Sequence, residues 1–499
     1  MNRLFNTKIV FRTLGALLLI ESLFMLVPMA TAYGYGNSDL GAWIVTTVLT
    51  MLGGLLFLLV GRGAQKHVGE REGYVIVSAV WIVFSLFGML PFWLSGALPT
   101  LADCWFETMA GFTTTGATVC ADVESMSQSL LLWRALMQWV GGLGIIVLSV
   151  AILPMFGLGG MQLYSAEVTG VSYEKLSPRI ADTAKHMWVT YILLTVSQTV
   201  LLYLEGMPHF DAICHSLSTI STGGFSTQND SMMSYNAAIQ WTTAAFMLMS
   251  GYNFTQLIHL FRGHPGKIMR DEESRWYTMA VLFCSLALAV GLFVHYGLLS
   301  QVRTIDSIGD VLSGAEISLR NAFFTATAAI TSTGFASSDY MQWPKVLWLA
   351  VFMMMTTGAA SGSTSGGIKW VRIAVFAKSA MVELKRRIHP NAVIPVRLNG
   401  QAIPQGTKDN VMAFMFFYIV IIGISALIFC AEGLGFEDAI GTAVSHIGNV
   451  GISIGQYGPS GTYADYPVVA KWTATAVMLI GRLEIFTVLL LFSKALWRK

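Results

Sequence analysis

The chain has 499 residues, of which 54% are hydrophobic and only 12% charged, whereas ordinary soluble domains carry about 25% charged residues. Thirty Lys and Arg against 28 Asp and Glu leave a net charge of +2, and the mean hydropathy is +0.62. This balance excludes a soluble enzyme, a disordered chain and a basic nucleic-acid binder, and describes one polytopic membrane body.

The first apolar run reaches from about Ile9 to Ala32. It contains Arg12 and Glu21 and exceeds the about 7–15 apolar residues of a signal peptide, so it reads as a first membrane helix. A span needs about 20 mostly apolar residues, and nine further stretches qualify: 41–61, 73–97, 129–156, 183–205, 236–261, 276–298, 345–383, 410–432 and 466–497. Between some of them lie runs too short to span, beginning near Asp103, Asp211, Asn321 and Asp438, residue types suited to N-caps. The eighth span is interrupted by Gly358, Ala359, Ala360, Ser361, Gly362, Ser363, Thr364, Ser365, Gly366 and Gly367. So many small residues do not make a stable lipid-facing helix. The segment reads as an intramembrane gate loop, with a kinked helix packed through small residues as the alternative; Lys369 and Arg372 follow as anchors for its inner end.

Charge sets the orientation. Loops 62–72, 157–185, 262–275 and 384–409, with both termini, hold most of the Lys and Arg, including Arg62, Arg71, Arg262, Lys267, Arg270, Lys385, Arg386 and Arg387. The opposite loops carry Glu107, Asp122, Glu124, Asp230, Asp339 and Glu437. The expectation is ten spans with both termini cytoplasmic and all four short runs on the outer side. Cys104, Cys120, Cys214, Cys284 and Cys430 form no C-x-x-C pair and read as packing residues, as do His215, His446 and Met353-Met354-Met355. Arg134, inside the fourth span, reads as structural, and Glu21 as a polar inter-helix contact or a proton relay.

Each short run ends in a similar segment: Thr114-Thr115-Gly116-Ala117, Ser221-Thr222-Gly223-Gly224, Ser332-Thr333-Gly334-Phe335 and Asn449-Val450-Gly451-Ile452. The unit of span, short helix, glycine turn and span therefore recurs four times. The expected organisation is all-α: an N-terminal helix pair over 1–68, then four repeats over 69–176, 177–272, 273–400 (with the gate loop) and 401–499. Four short helices dipping inward aim their C-terminal partial negative charge at a common axis. Gly leaves carbonyl oxygens free to turn inward, and carbonyl and Thr oxygens can replace the water shell of a large monovalent cation. A re-entrant turn binding no ion is the alternative for any one segment taken alone.

With these four segments the chain resembles the Trk/Ktr/HKT superfamily of potassium transporters, and within it the bacterial TrkH and TrkG type. Further runs carry the resemblance: Trp139-Val140-Gly141-Gly142-Leu143-Gly144-Ile145-Ile146-Val147 continuing to Leu163, Ser363 to Lys369, His389-Pro390-Asn391-Ala392, and Gly481-Arg482-Leu483-Glu484-Ile485-Phe486-Thr487. The resemblance implies that Thr114, Thr115, Gly116, Ser221, Thr222, Gly223, Ser332, Thr333, Gly334, Asn449, Val450 and Gly451 bind K+ in transit. It places Arg482 just below this filter as an electrostatic barrier beside the gate loop. It also implies a homodimer in the lipid of a bacterial cytoplasmic (inner) membrane, with a TrkA-like cytosolic regulatory subunit. ATP/ADP or NAD(H) would bind that subunit, and this chain would hold no covalent cofactor. Arg386 and Arg387 are the expected docking residues, or alternatively face the membrane surface. The fourth filter departs from the usual N-x-G-P-G, since Ile452-Ser453 follows Gly451. Gly116 stands where sodium-favouring plant relatives often have Ser, which favours potassium.

The expected function is thus potassium uptake, with flow driven by the membrane potential or by symport of H+ or Na+. A sodium or mixed sodium–potassium transporter of the same superfamily is the alternative. An intramembrane enzyme is the reading from another class, and the absence of an H-E-x-x-H or nucleophile–base motif speaks against it.

Overall fold

The computed structural model describes residues 5–64, 69–144, 180–264, 266–295 and 308–497. The run from Ile145 to Leu163, the end of the fourth span, most of the loop 157–185 and the end of the seventh span fall outside them. The described chain is mostly helical. Sheet among the described residues is confined to a ladder of Arg397–Leu398 against Gln401–Ala402 and an isolated bridge between Thr357 and Ile368.

Six helices among the described residues are long and apolar enough to cross a membrane: Thr7–Tyr35, Leu40–Val60, Arg71–Ser95, Lys185–Leu204, Glu272–Phe293 and Gln405–Ala431. The first two pack on each other as an N-terminal pair. Elsewhere the expected spans are broken. Gln128–Trp139 runs into a π-helical turn, Val140–Gly144. Ala237–Ser250 stops, and Phe254–Phe261 restarts after Asn253, whose side chain accepts from the Thr255 N–H at 2.8 Å. Lys345–Met355 and Trp370–Ile388 are separated by residues 356–369. Val468–Arg482 gives way to Phe486–Leu491 through Glu484 and Ile485, both at positive φ.

A broken helix in an apolar surrounding leaves backbone groups that need partners. Here the breaks supply one another. Ala360 N–H donates to the Gly251 carbonyl at 3.0 Å, and Phe254 N–H to the Gly362 carbonyl at 3.2 Å. The Arg482 guanidinium donates to the carbonyls of Gly141 and Gly142 at 2.8 and 2.7 Å. All four breaks are joined through these contacts and the loop 358–367.

Three of the short helices are Leu101–Phe112, His209–Ile220 and Phe436–Gly448. The third expected one is the end of a longer helix, Ile308–Ile330, so Asn321 lies inside it. The N-caps are Thr100, Pro208 and Gly435, not the acids. Asp103, Asp211 and Asp438 each occupy the third helical position, where a carboxylate still meets the positive helix end. There they also hold the returning chain: Lys471 Nζ lies 2.6 Å from Asp103, Thr227 Oγ1 donates to Asp211 at 2.7 Å, and Gln456 N–H to Asp438 at 2.8 Å.

Candidate functional site

Each short helix ends in the same way. A residue with φ near +50° follows it: Thr114, Thr222, Ser332 and Asn449, at 52°, 53°, 51° and 52°. The next residue donates back five positions, from Thr115 to Ala110 and Gly223 to Ser218 at 2.8 Å, and from Thr333 to Ala328 and Val450 to Ser445 at 2.9 Å. This is the Schellman ending that satisfies late helix carbonyls. Side chains rarely take this conformation, yet none of the four positions is glycine. Two residues on, φ is positive again at Gly116, Gly224, Gly334 and Gly451, at 78°, 81°, 76° and 89°. The second segment is therefore shifted by one residue from the sequence expectation: Gly224, not Gly223, corresponds to Gly116. Ser221 belongs to the helix end, its hydroxyl donating to Leu217 O at 2.8 Å.

The four glycines interlock in a ring. A Cβ on Gly116 would stand 2.1 Å from Gly223 O, one on Gly224 1.9 Å from Thr333 O, one on Gly334 1.9 Å from Val450 O, and one on Gly451 2.2 Å from Thr115 O. Each contact reaches the residue before the next glycine, and the fourth closes on the first. All four glycines line one cavity of ≈ 140 Å³, together with Thr118, Ser226, Asn229 and Tyr463. Asn449 Nδ2 donates to Thr115 Oγ1 and to Met478 O, both at 2.9 Å.

Buried polar side chains brace this ring. Gln138 Nε2 donates to Gly223 O at 2.7 Å while its Oε1 accepts from Phe225 N–H at 3.1 Å. Arg134, 2% exposed, pairs with the fully buried Glu107 at 2.7 Å and donates to Ser226 O at 3.0 Å. Glu107 in turn accepts from Val119 N–H at 2.9 Å. Tyr463 donates to Gly451 O at 3.0 Å, and Tyr340 to Ser453 O. Burial pushes the Tyr463 phenol well above its ordinary range, so it remains a neutral donor. The departure after Gly451 is thus held by two tyrosines. Neither they nor Gln138 stood out in the sequence, although Arg134 and Gln138 are four apart on one helical face.

The loop 358–367 lies directly against the ring. Gly366 N–H donates to Ser332 Oγ at 2.6 Å, and Thr222 Oγ1 to Thr364 Oγ1 at 3.2 Å. Arg482 donates to Thr364 O at 2.6 Å, which brings it to the loop. Lys369 Nζ reaches Ser365 Oγ at 3.1 Å and the Ser365 carbonyl. Arg372 pairs with Glu484 and stacks 4.2 Å over the Phe414 ring. Gly358, Ala359, Ala360, Ser361, Gly362, Ser363, Gly366 and Gly367 form one folded segment, closed by the Gly358 N–H bond to Ile368 O at 2.8 Å.

His215 bonds Ser226 Oγ at 2.9 Å. His446 is buried among Phe106, Phe429, Tyr463 and Tyr466, its ring nitrogens without a hydrogen-bond partner among the described residues. Glu21 is likewise buried and unpartnered there, beside Gly88. Cys104, Cys120 and Cys214 are buried free thiols; Cys430 is exposed. Met354 and Met355 are core residues, whereas Met353 is exposed.

Comparison with known proteins bears on the whole chain. The profile of the TrkH family, described as a cation transport protein, matches residues 53–499. The Trk system potassium uptake protein TrkH of Halomonas elongata is 36% identical over 99% of this chain and 100% of its own length. TrkH of Escherichia coli K12 is 35% identical and TrkG of the same strain 34%, each covering 99% of both chains. The crystal structure of the potassium transporter TrkH from Vibrio parahaemolyticus superposes with a TM-score of 0.86 at 32% identity, covering 99% of this chain and 100% of that one. With ring, loop and bracing side chains set in a helical membrane body, and these matches spanning its length, the chain belongs to the TrkH family of cation transport proteins.

Proposed function

We propose that this chain takes up potassium across the bacterial inner membrane through a filter built from Thr114-Thr115-Gly116, Thr222-Gly223-Gly224, Ser332-Thr333-Gly334 and Asn449-Val450-Gly451. The observation that carries this is the closed ring of four glycines lining one cavity. Four like backbone turns meeting around one centre offer oxygens in the number a dehydrated cation needs, and four helix C-terminal ends add negative potential. The membrane potential favours inward cation movement by about 2.3 kcal/mol per 100 mV.

In this reading the chain makes ten spans with both termini cytoplasmic, arranged as a pair over 1–68 and repeats over 69–176, 177–272, 273–400 and 401–499. The loop 358–367 closes the path below the filter, and Arg482 adds a positive barrier. A homodimer and a TrkA-like nucleotide-binding subunit, meeting the basic face at Arg386 and Arg387, complete the system. The test is Rb+ uptake by proteoliposomes holding the purified chain, with Na+ as competitor and with or without a pH gradient. Rb+ uptake that Na+ does not suppress supports the reading. Equal Na+ and Rb+ flux would move it to a mixed transporter.

A further inference from the structure

One carboxylate ties the middle of the loop to the helix that follows it. Glu273, the second residue of Glu272–Phe293, is buried. Its Oε1 accepts from the backbone N–H of Ser361 at 2.6 Å and from that of Val371 at 3.1 Å. Ser361 lies within the small-residue segment, and Val371 is in the first turn of Trp370–Ile388, where helical N–H groups have no partner of their own. A single oxygen therefore joins the middle of the loop to the first turn of the next helix. A stretch of Gly, Ala and Ser has little side-chain surface to hold it by packing, so its shape rests on such bonds.

The same helix end is gripped from the other side. Asn399, on the exposed turn between Arg397–Leu398 and Gln401–Ala402, donates its N–H to Glu272 Oε2 at 3.0 Å, and its Oδ1 accepts from Glu272 N–H at 2.7 Å. Asn399 Nδ2 donates to Asp271 Oδ1 at 2.9 Å. Lys378, on Trp370–Ile388, pairs with Glu272 and donates to Arg397 O at 2.8 Å. These bonds fasten the Asn399 turn to the helix end that carries Glu273.

We infer that Glu273 is the positioning residue of the gate: it holds the loop 358–367 across the path by binding Ser361 and Val371 together, and it links the loop to the exposed Asn399 turn. The inference rests on the reading of that loop as the gate. Both bonds converge on one acceptor oxygen, so the loop should respond to changes at this one side chain.

The experiment measures Rb+ uptake by proteoliposomes holding the full chain with no partner. It compares wild type, Glu273→Ala, Glu273→Asp, Glu273→Gln and a deletion within 358–366. Glu273→Ala is expected to raise flux about tenfold, equivalent to ~1.4 kcal/mol. Glu273→Asp keeps a carboxyl group but is too short to bring its oxygen to both amides, and is expected to raise flux similarly. Glu273→Gln, which keeps an acceptor oxygen in place, is expected to restore most of the closure. The Rb+/Na+ ratio should be unchanged in all three, a readout that general unfolding would not preserve. Wild-type flux from Glu273→Ala, beside a deletion that conducts more, overturns the inference while leaving the transport reading intact. If the Ala chain does not fold, wild-type flux from Glu273→Asp overturns it instead. Absence of Rb+ flux from every chain, the deletion included, would remove the transport reading and this inference with it.

Discussion

Replacing Gly224 by Ala tests the ring at one of its two tightest contacts. The new Cβ would stand 1.9 Å from the Thr333 carbonyl oxygen, roughly 1.5 Å inside ordinary contact. The obstacle is backbone of the neighbouring turn, so no rotamer change relieves it. A φ of 81° adds about 1–2 kcal/mol for any residue with a Cβ, and overpacking adds about 1–3 kcal/mol. A total of roughly 2–5 kcal/mol shifts the local conformational balance by more than tenfold at its lower end. At Gly223 the situation differs. A Cβ there meets the Gln138 side chain, its Cδ at 2.4 Å and its Cβ at 2.8 Å, so shortening Gln138 to Ala removes the nearer contact but leaves the second. We expect Gly224→Ala to lose preference for Rb+ over Na+ in proteoliposome uptake, with or without Gln138→Ala. Gly223→Ala should also lose preference, and Gln138→Ala should not restore it, because the Gln138 Cβ stays 2.8 Å away and the bond to Gly223 O is lost. A wild-type Rb+/Na+ ratio in folded Gly224→Ala, or its rescue by Gln138→Ala, would refute the assignment of Gly224 to the ring.

Three further outcomes follow from the same geometry. A deletion within 358–366 should raise Rb+ flux without a partner, and Arg482→Ala should raise it further and weaken its voltage dependence, since two unit charges about 6 Å apart at an effective dielectric of about 20 repel by roughly 3 kcal/mol; wild-type flux from a folded deletion would place the gate elsewhere. Glu107→Ala leaves Arg134 buried beside the cavity without its carboxylate and should cost ~3–5 kcal/mol, read as a lower unfolding temperature in detergent; an unchanged melting curve would contradict this. Tyr463→Phe removes only the hydroxyl that donates to Gly451 O, worth ~0.5–1.5 kcal/mol. It should lower the Rb+/Na+ ratio severalfold while scarcely moving thermal stability, and an unaltered ratio would exclude Tyr463 from setting the fourth turn.

Hydropathy made the long helices legible, because burial in lipid imposes length and composition together. The four turns were legible as a pattern but misplaced by one residue in the second. Two adjacent glycines, Gly223 and Gly224, both satisfy an ungapped alignment, and only the backbone angles separate them. The start of Ile308–Ile330 was hidden because the stretch up to Arg320 carries Asp310, Glu316 and Arg320, which break the apolar run without breaking the helix. The loop 358–367 announced itself by composition. Glu273 did not, because a Glu in the first turn of a helix is an ordinary end residue until the chain returns from Ser361 and Val371, 88 and 98 positions away.

The ring also sets an order on biosynthesis. Its closing contacts join Gly451 to Thr115 O and Asn449 to Thr115, the latter 334 positions apart. The first turn must therefore wait, inserted but uncompleted, until nearly the whole protein has left the ribosome. During that interval the waiting turns present carbonyls and hydroxyls that lipid cannot satisfy. A chain that stops short of residue 449 has no means of closing the circle, whatever the quality of its first three quarters. Nonsense mutations late in the reading frame should therefore leave a membrane-inserted product that quality-control proteases clear, rather than a leaky pore.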